Sequence, residues 1–427
     1  MKNIVKLKES TLFRREKKLA FLLLLPTIFL VLSIVLIPLF ANFWISFKPI
    51  TLSDLRPPKL IIKENVIGKL SFNGEIAQIQ YRYRNSSTKY DLKNVILTDL
   101  IPKGINIKSI NTNKKCLIKQ NKIICDLKNV KAKSYGKIIL LVSRNEFWKE
   151  NRDNPKIHKP LATYTTKNIL TSFDFTLSNF QKIFSASEFW HVLKVSIYYT
   201  IFGTAGALLI GLFAAQILHK PFKGRSIIRG LLLFPYVSPV IAVAFTWVIL
   251  FDPFSGVFNS MLLQMDIIDK PINFFGQKYT SINIFGYEYK FPLALSMVII
   301  FEIWRYFPLS FLFILARMQS IPEDIYEAAE IDGASPLQQF YYLSLPFLIG
   351  IMAILFLLRF IWTFNKFDDI FLLTGGNAGT RTLTVNVYEQ AFAISNLGAG
   401  AAVAVVIFMF LLIFSIIFIK FSKKEAF

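Results

Sequence analysis

Chemically reactive side chains are scarce in this chain. Of its 427 residues, 3 are histidine and 2 are cysteine. His158, His191 and His219 are scattered, so no metal set or catalytic triad is visible. The two lone cysteines, Cys116 and Cys125, do not make a zinc site. The Gly-x-x-x-x-Gly-Lys-(Ser/Thr) phosphate loop is missing, which excludes ATP binding by that route. Gly375-Gly376-Asn377-Ala378-Gly379-Thr380 is glycine-rich but lacks the lysine. Acidic residues are few, 27 against 49 basic, for a formal net charge of +22. No basic region has the context of a nucleic-acid module, so the charge does not point to nucleic acid. What abounds is apolar: 54% of residues are hydrophobic and the mean hydropathy is +0.47, above a soluble norm.

A bilayer crossing takes roughly 20 apolar residues. Six stretches meet that length, near 19–43, 192–218, 228–251, 291–317, 346–364 and 397–419. The first is too long for a secretion-signal core and no small-residue cleavage site follows it, so it reads as a retained span. Lys and Arg set the orientation. They cluster in the N-terminal tail (Lys2, Lys6, Lys8, Arg14, Arg15, Lys17, Lys18), after the second span (Lys220, Lys223, Arg225, Arg229) and at the C-terminus (Lys420, Lys423, Lys424). Six crossings of a cell membrane from a cytoplasmic start put all three clusters in the cytoplasm, with both termini cytoplasmic.

Between two of the apolar runs lies Ile321-Pro322-Glu323-Asp324-Ile325-Tyr326-Glu327-Ala328-Ala329-Glu330-Ile331-Asp332-Gly333-Ala334-Ser335-Pro336. It reads as two short helices broken at Gly333. Ser320 with Glu323, and Ser335 with Gln338, are expected to form capping boxes. Asp332-Gly333 suits a helix stop. Together with Leu343-x-Leu345-Pro346, and with Ala316, Met318, Gln319, Ile321 and Pro322 before it, the segment resembles the "EAA" loop of membrane subunits of ATP-binding cassette (ABC) importers. The rest extends the resemblance to permeases of the maltose and glycerol-phosphate type. Residues 21–47 look like their first span, Phe175 to Phe180 with Trp190 and Thr200 like the approach to the second, and Leu233 to Pro239 like the opening of the third. Asp252 to Asn259 resembles the segment leaving that third span. Leu358 to Asp368, followed by Leu372-Leu373-Thr374-Gly375-Gly376, is similar to the fifth span of importers for maltose and trehalose. Tyr388-x-x-Ala391-Phe392 and the small-residue run Gly398 to Ala402 complete it.

The resemblance implies an all-α polytopic membrane protein with six transmembrane helices in the type I ABC importer fold. It implies that Glu327, Ala328, Ala329, Asp332, Gly333 and Pro346 couple to an ATPase. It places Asp252, Asn259, Trp362, Asn365 and Asp368 on the substrate path. Trp362, Asn365 and Asp368 are spaced i, i+3 and i+6, which expects them on neighbouring parts of one helical face. Lys366 stands where many relatives carry Asn. The expected partners are two ATP-binding cassette subunits, which would hold ATP and Mg, a second permease subunit, an extracytoplasmic solute-binding protein and the bilayer. This chain itself is expected to hold no cofactor and no metal and to be no enzyme. Charges within spans are costly. Glu302 and Arg305, at i,i+3, are expected to pair on one face, and Arg359 is a third intramembrane charge.

The stretch between the first two spans departs from the family. Ile76 to Tyr83 alternates and Val95 to Asp99 alternates in part, Asn85-Ser86-Ser87 signals a turn, and Pro102-Lys103-Gly104 breaks the chain again. Lys137 to Val142 is a further short strand. Such spacing predicts an extracytoplasmic β sandwich near 59–144. Tyr81-x-Tyr83-x-Asn85 and Thr98-Asp99-x-Ile101-Pro102-x-Gly104 resemble immunoglobulin-like repeats of bacterial surface proteins. Gln120-Asn121 reads as the turn of a hairpin that sets Cys116 opposite Cys125. A disulfide there suits the oxidising side of the membrane.

The chain thus divides into a basic cytoplasmic tail (1–18), a first transmembrane helix (19–47), an extracytoplasmic insertion (48–160), a linker (161–190), a five-helix core (191–420) and a cytoplasmic tail (421–427). The function read from this is a permease subunit translocating a maltose- or trehalose-like sugar. The alternatives are import of an anionic sugar or glycerol phosphate, a membrane-anchored adhesion protein whose β domain does the work, and an ion-driven transporter. Six spans exceed what anchoring needs. The inverted repeats of an ion-driven transporter are not evident.

Overall fold

The computed structural model describes residues 11–68, 75–147, 159–284 and 287–422. Lys2, Lys6, Lys8, Lys423, Lys424 and most of the polar stretch 151–160 lie outside them. The chain forms two units, Ile50–Phe175 and the pair of segments Met1–Pro49 and Thr176–Phe427.

The unit Ile50–Phe175 is a sandwich of two four-stranded antiparallel sheets. Its strands are β1 (Leu60–Ile67), β2 (Ile76–Asn85), β3 (Leu92–Leu100), β4 (Ile105–Asn111), β5 (Lys115–Lys119), β6 (Lys122–Val130), β7 (Tyr135–Arg144) and β8 (Leu161–Thr166). One sheet runs β1-β2-β7-β4, the other β5-β6-β3-β8. Alternation buries one face of each strand, so Ala77, Ile79 and Tyr81 of β2 meet Val95, Leu97, Ile123 and Leu140 in a single core. β5 and β6 turn through Gln120 and Asn121, both at positive φ, as two-residue hairpins require. Cys116 and Cys125 stand directly opposite across that hairpin and form a disulfide.

The sandwich extends past the expected 59–144. The start of the stretch read as a linker, 161–190, is β8, which pairs with β3. Leu-Ala-Thr-Tyr-Thr-Thr is rich in β-formers and alternates in exposure, so it completes a sheet edge rather than spanning a gap.

The second unit is helical. It contains α1 (Thr11–Leu30) and α2 (Ile37–Ser46), joined by a wide helical turn, then α3 (Ser178–Ser185), α4 (Ser187–His219), α5 (Arg225–Leu232), α6 (Phe234–Val237), α7 (Val240–Leu250) and α8 (Val257–Gln264). A hairpin of β9 (Thr280–Ile284) and β10 (Tyr287–Phe291) precedes α9 (Leu293–Gln319). Then come α10 (Glu323–Ile331), α11 (Pro336–Gln339), α12 (Leu345–Phe364), α13 (Asp368–Thr374), α14 (Leu383–Tyr388) and α15 (Leu397–Ser422). Five helices among the described residues are long and apolar enough to cross a bilayer. The expected third span, 228–251, is instead a pair of helical segments, Arg225–Val237 and Val240–Leu250, bent by 92°. Pro239 causes the break: it has no N–H to continue the ladder, and Ser238 before it is held extended.

α4 and α9 pack against each other extensively. Gly203, Ala207, Gly211 and Ala215 recur every fourth residue along α4. A Cβ on Gly211 would come within 2.8 Å of the Phe311 nitrogen and 3.1 Å of the Phe307 oxygen, so the two backbones touch at this seam. Outward-facing Leu22, Phe29, Ile34 and Phe40 of the first span are more than half exposed, apolar surface that water does not favour.

Candidate functional site

Two places concentrate polar chemistry in the helical unit. The first is the elbow between α9 and α12. α9 ends with Ser320, whose hydroxyl donates to the Arg317 carbonyl at 2.7 Å. Ser320 therefore closes α9 rather than capping α10, and Pro322, in extended conformation, precedes Glu323. The physical reason is position: α10 starts at Glu323 with Pro322 at its cap, so Ser320 lies two residues before the cap, and its oxygen already accepts from Arg317. α10 closes at Gly333, whose φ of +76° only glycine adopts freely. Gly333 N–H donates to Glu330 and Ala334 N–H to Ala329, which satisfies the last carbonyls. Ser335 and Gln338 form a reciprocal capping box that starts α11. Tyr326 of α10 shares a hydrogen bond of 2.8 Å with Ser344, at the foot of α12, which ties the two elements together.

This elbow presents a surface. Glu327, Ala328, Asp332, Gly333 and Pro346 are exposed and Ala329 is half-buried. Beside them Ile331 is 87% exposed and Leu337 78%. An acid, small side chains that leave room for close approach, and two bare aliphatic groups thus lie together on one exposed surface.

The second place is a charged cluster deep among α4, α9, α12 and α13. Glu302 is fully buried. It accepts from Arg359 at 2.5 Å, Thr363 at 2.9 Å and Tyr199 at 2.8 Å. The expected Glu302–Arg305 pair does not form. Arg305 turns to Tyr306 and the Ser238 carbonyl and lies 4.0 Å from Asp369. Residues three apart share a face, but a long side chain can leave it for a better partner on another helix. Lys366 bonds the Tyr306 hydroxyl and lies 3.6 Å from Asp369. The Tyr306 ring carries Arg359 at 4.3 Å and Lys366 at 3.9 Å from its centre. Three cations thus meet two carboxylates around one ring.

The substrate-path residues divide. Trp362 is 48% exposed and Asn365 is exposed, while Asp368 is half-buried. They do not share one helical face, as their spacing led us to expect. α12 stops at Phe364, Asn365 ends it, and Asp368 opens α13. The Asn365 side chain donates back to the Ile361 carbonyl and helps end the helix. Asp252 and Asn259 are occupied locally. The Asp252 carboxylate accepts from the Ser255 and Phe254 amides and the Ser255 hydroxyl, which hold it below its ordinary pKa. Asn259 is buried, and its side chain bridges the Asp252 carbonyl and the Ile272 backbone. Both hold the loop leaving α7.

Two participants escaped the sequence reading. Asp369, not its neighbour Asp368, is the buried acid, and Tyr306 is the ring beneath the cations. Helical phase across a break cannot be counted from sequence, so the choice between adjacent aspartates needed the structure. Among the described residues no three His, Cys, Asp or Glu side chains gather as a metal set.

The family model described as binding-protein-dependent transport system inner membrane component matches residues 207–423. The inner membrane ABC transporter permease protein YcjO of Escherichia coli (strain K12) is 33% identical over 229 residues, 52% of this chain and 71% of that protein. The trehalose/maltose transport system permease protein MalF of Thermococcus litoralis is 32% identical over 248 residues, 58% of this chain and 79% of that one. A solved bacterial alginate ABC transporter, in complex with an alginate pentasaccharide-bound periplasmic protein, aligns with a TM-score of 0.53. It covers 59% of this chain and 84% of that chain at 18% identity, a likeness of fold alone.

Proposed function

Since the chain belongs to the binding-protein-dependent transport system inner membrane components, we propose that it is the permease subunit of an ABC importer that moves a neutral sugar across a cell membrane. The observation that carries the transport reading is the elbow: an exposed helix–Gly333–helix knob whose Tyr326–Ser344 bond links it to an apolar helix. In this reading two ATPase subunits, which hold the ATP and Mg, receive Glu327 and the small Ala328 and Ala329. Closure of the ATPases moves α10, and α12 transmits the movement to the spans. A second permease completes the pathway, and a binding protein delivers the sugar from outside. The sugar reading is supported by relatives named for trehalose and maltose transport and by the exposed Trp362, whose ring suits a sugar face, one turn before Asn365, whose side-chain carbonyl can accept from a hydroxyl.

The tails and the loop after α4 lie inside in this reading, and the sandwich outside, where its Cys116–Cys125 bridge suits an oxidising compartment. Lys366 and Arg359 favour an anionic sugar as the second reading, but both are engaged with Glu302, Asp369 and Tyr306.

The test is reconstitution with the ATPase, second permease and binding protein that this reading requires. ATP hydrolysis stimulated by the loaded binding protein, and uptake of labelled trehalose or maltose, are expected. Trp362→Ala and Asn365→Ala should each slow uptake by about tenfold, the scale of one lost stacking or polar contact, with basal hydrolysis unchanged. Uptake of acidic sugars alone would transfer the assignment to the second reading.

A further inference from the structure

The sandwich carries a surface that the transport reading does not use. On the outer face of the sheet β1-β2-β7-β4, Lys63 stands directly opposite Arg82, and Arg82 directly opposite Lys137. The adjacent row holds Ile61, Arg84 and Tyr135. Lys63, Arg82, Arg84 and Lys137 are exposed, and none has an ion-pair partner among the described residues. β1, β2 and β7 carry one acid between them, Glu64, and its register partner is the core residue Tyr81, on the other face.

Like charges directly opposite one another oppose sheet formation. A carboxylate at any outward position of β2 would relieve the row without touching the core. Such a row, set against folding and without a counter-charge among the described residues, is what a neutralising ligand would explain. The neighbouring groups say what kind. Tyr135 is 87% exposed and offers a flat ring at the edge of the row. Asn65, Gln80 and Ile139 form the row on the other side, where the first two offer amides. Row and ring border an open groove of about 600 Å³. Strands lie about 4.8 Å apart, so a chain crossing them meets Lys63, Arg82 and Lys137 in succession.

We propose that this face binds a linear acidic glycan carrying carboxylates on successive sugars. The cations take the carboxylates, Arg82 and Arg84 with paired N–H donors. Tyr135 stacks on a sugar face, and Asn65 and Gln80 meet hydroxyls. Ile61 and Ile139 also border the cations, so a lipid surface is the competing occupant, and the test separates the two. The proposal stands apart from the transport reading: the variants that test it lie only in the sandwich.

The test uses the full chain in nanodiscs of zwitterionic phosphatidylcholine, titrated with fluorescent hexagalacturonate and, as a neutral control, maltohexaose. Hexagalacturonate should bind, more weakly as salt rises, and maltohexaose should not bind at this face. Arg82→Gln with Lys137→Gln should weaken hexagalacturonate by at least about tenfold, and Tyr135→Ala by about fivefold. The double variant should unfold at the same or a higher temperature, because the repulsion is gone. Absent binding, unchanged affinity in the double variant, or a lowered unfolding temperature would overturn the proposal. Capture by phosphatidylglycerol vesicles without hexagalacturonate binding would overturn it in favour of a lipid surface.

Discussion

Buried acids in this chain survive where donors or cations surround them. Glu302 has three donors on two other helices. Glu302→Gln would leave the buried Arg359 guanidinium uncompensated, which costs about 3–5 kcal/mol. Lower yield and a lower unfolding temperature in detergent are expected, and the double variant Glu302→Gln with Arg359→Met should recover most of the loss. A stable single variant would show that Arg359 finds another partner. Tyr81 donates to Asp99 at 2.6 Å in the sandwich core, where burial, then the Asp99 charge, holds the phenol well above its ordinary pKa. The native state keeps that proton at a pH where the unfolded chain ionises, near 10. Stability is therefore full below about pH 10 and falls as pH rises above it. Denaturant midpoints of the excised sandwich between pH 8 and about 11.5 should show that decline. Tyr81→Phe should reduce it, leaving the share of Tyr83 and Tyr90, whose phenols burial also pushes up. At this scale the sequence showed that Glu302, Arg305 and Arg359 are costly charges, because apolar runs flank them. It did not show the partners: Asp369, Arg359 and Lys366 meet Glu302, Arg305 and Tyr306 of α9 only when segments about 60 residues apart fold together. Tyr306, one turn after Glu302, was within reach of a helical count.

The elements were legible wherever one period held. Alternation disclosed β2, and the Gly333 elbow was readable because helix stops and caps are local chemistry. The 92° break at Pro239 was hidden inside a continuous apolar run. β8 was hidden too, because a lone strand without its partner β3 resembles a linker. The α4 seam also went unread, although small residues every fourth position are a known mark of close helix approach. Gly211→Leu should part α4 from α9, since even a Cβ there meets backbone at 2.8 Å. A cost of roughly 1–3 kcal/mol from overpacking is expected, read as a lower unfolding temperature, with Gly230→Leu, where a Cβ meets nothing within 4 Å, as control. At the elbow, Glu327→Lys should leave the chain stable in the membrane yet reduce ATP-driven uptake by about tenfold or more, as one lost docking contact of 1.4 kcal/mol would. Normal uptake in that variant would remove Glu327 from coupling.

On the scale of the whole molecule, the sandwich is a continuous stretch set into the first part of a helical unit, and the chain returns close to where it left. Thr176 N–H donates to the Phe47 carbonyl at 2.7 Å. The Asn179 amide, buried, donates to the carbonyls of Ser46 and Lys48. These bonds lie within the helical unit, so its own contacts hold both ends of the insertion. The sandwich in turn has its own core and its own disulfide. Each unit should therefore fold without the other. Residues 50–175 expressed into an oxidising compartment should give a β-type circular-dichroism spectrum and no free thiol. The converse is the stronger test. Replacing 50–175 by a short Gly-Ser turn should leave a chain that inserts, assembles with its partners and retains uptake within about twofold, because closing a short loop between ends already held together changes little. The same deletion should abolish hexagalacturonate binding. Loss of insertion or assembly would make the sandwich part of the folding of the helices, and loss of uptake alone, in an assembled complex, would make it part of transport.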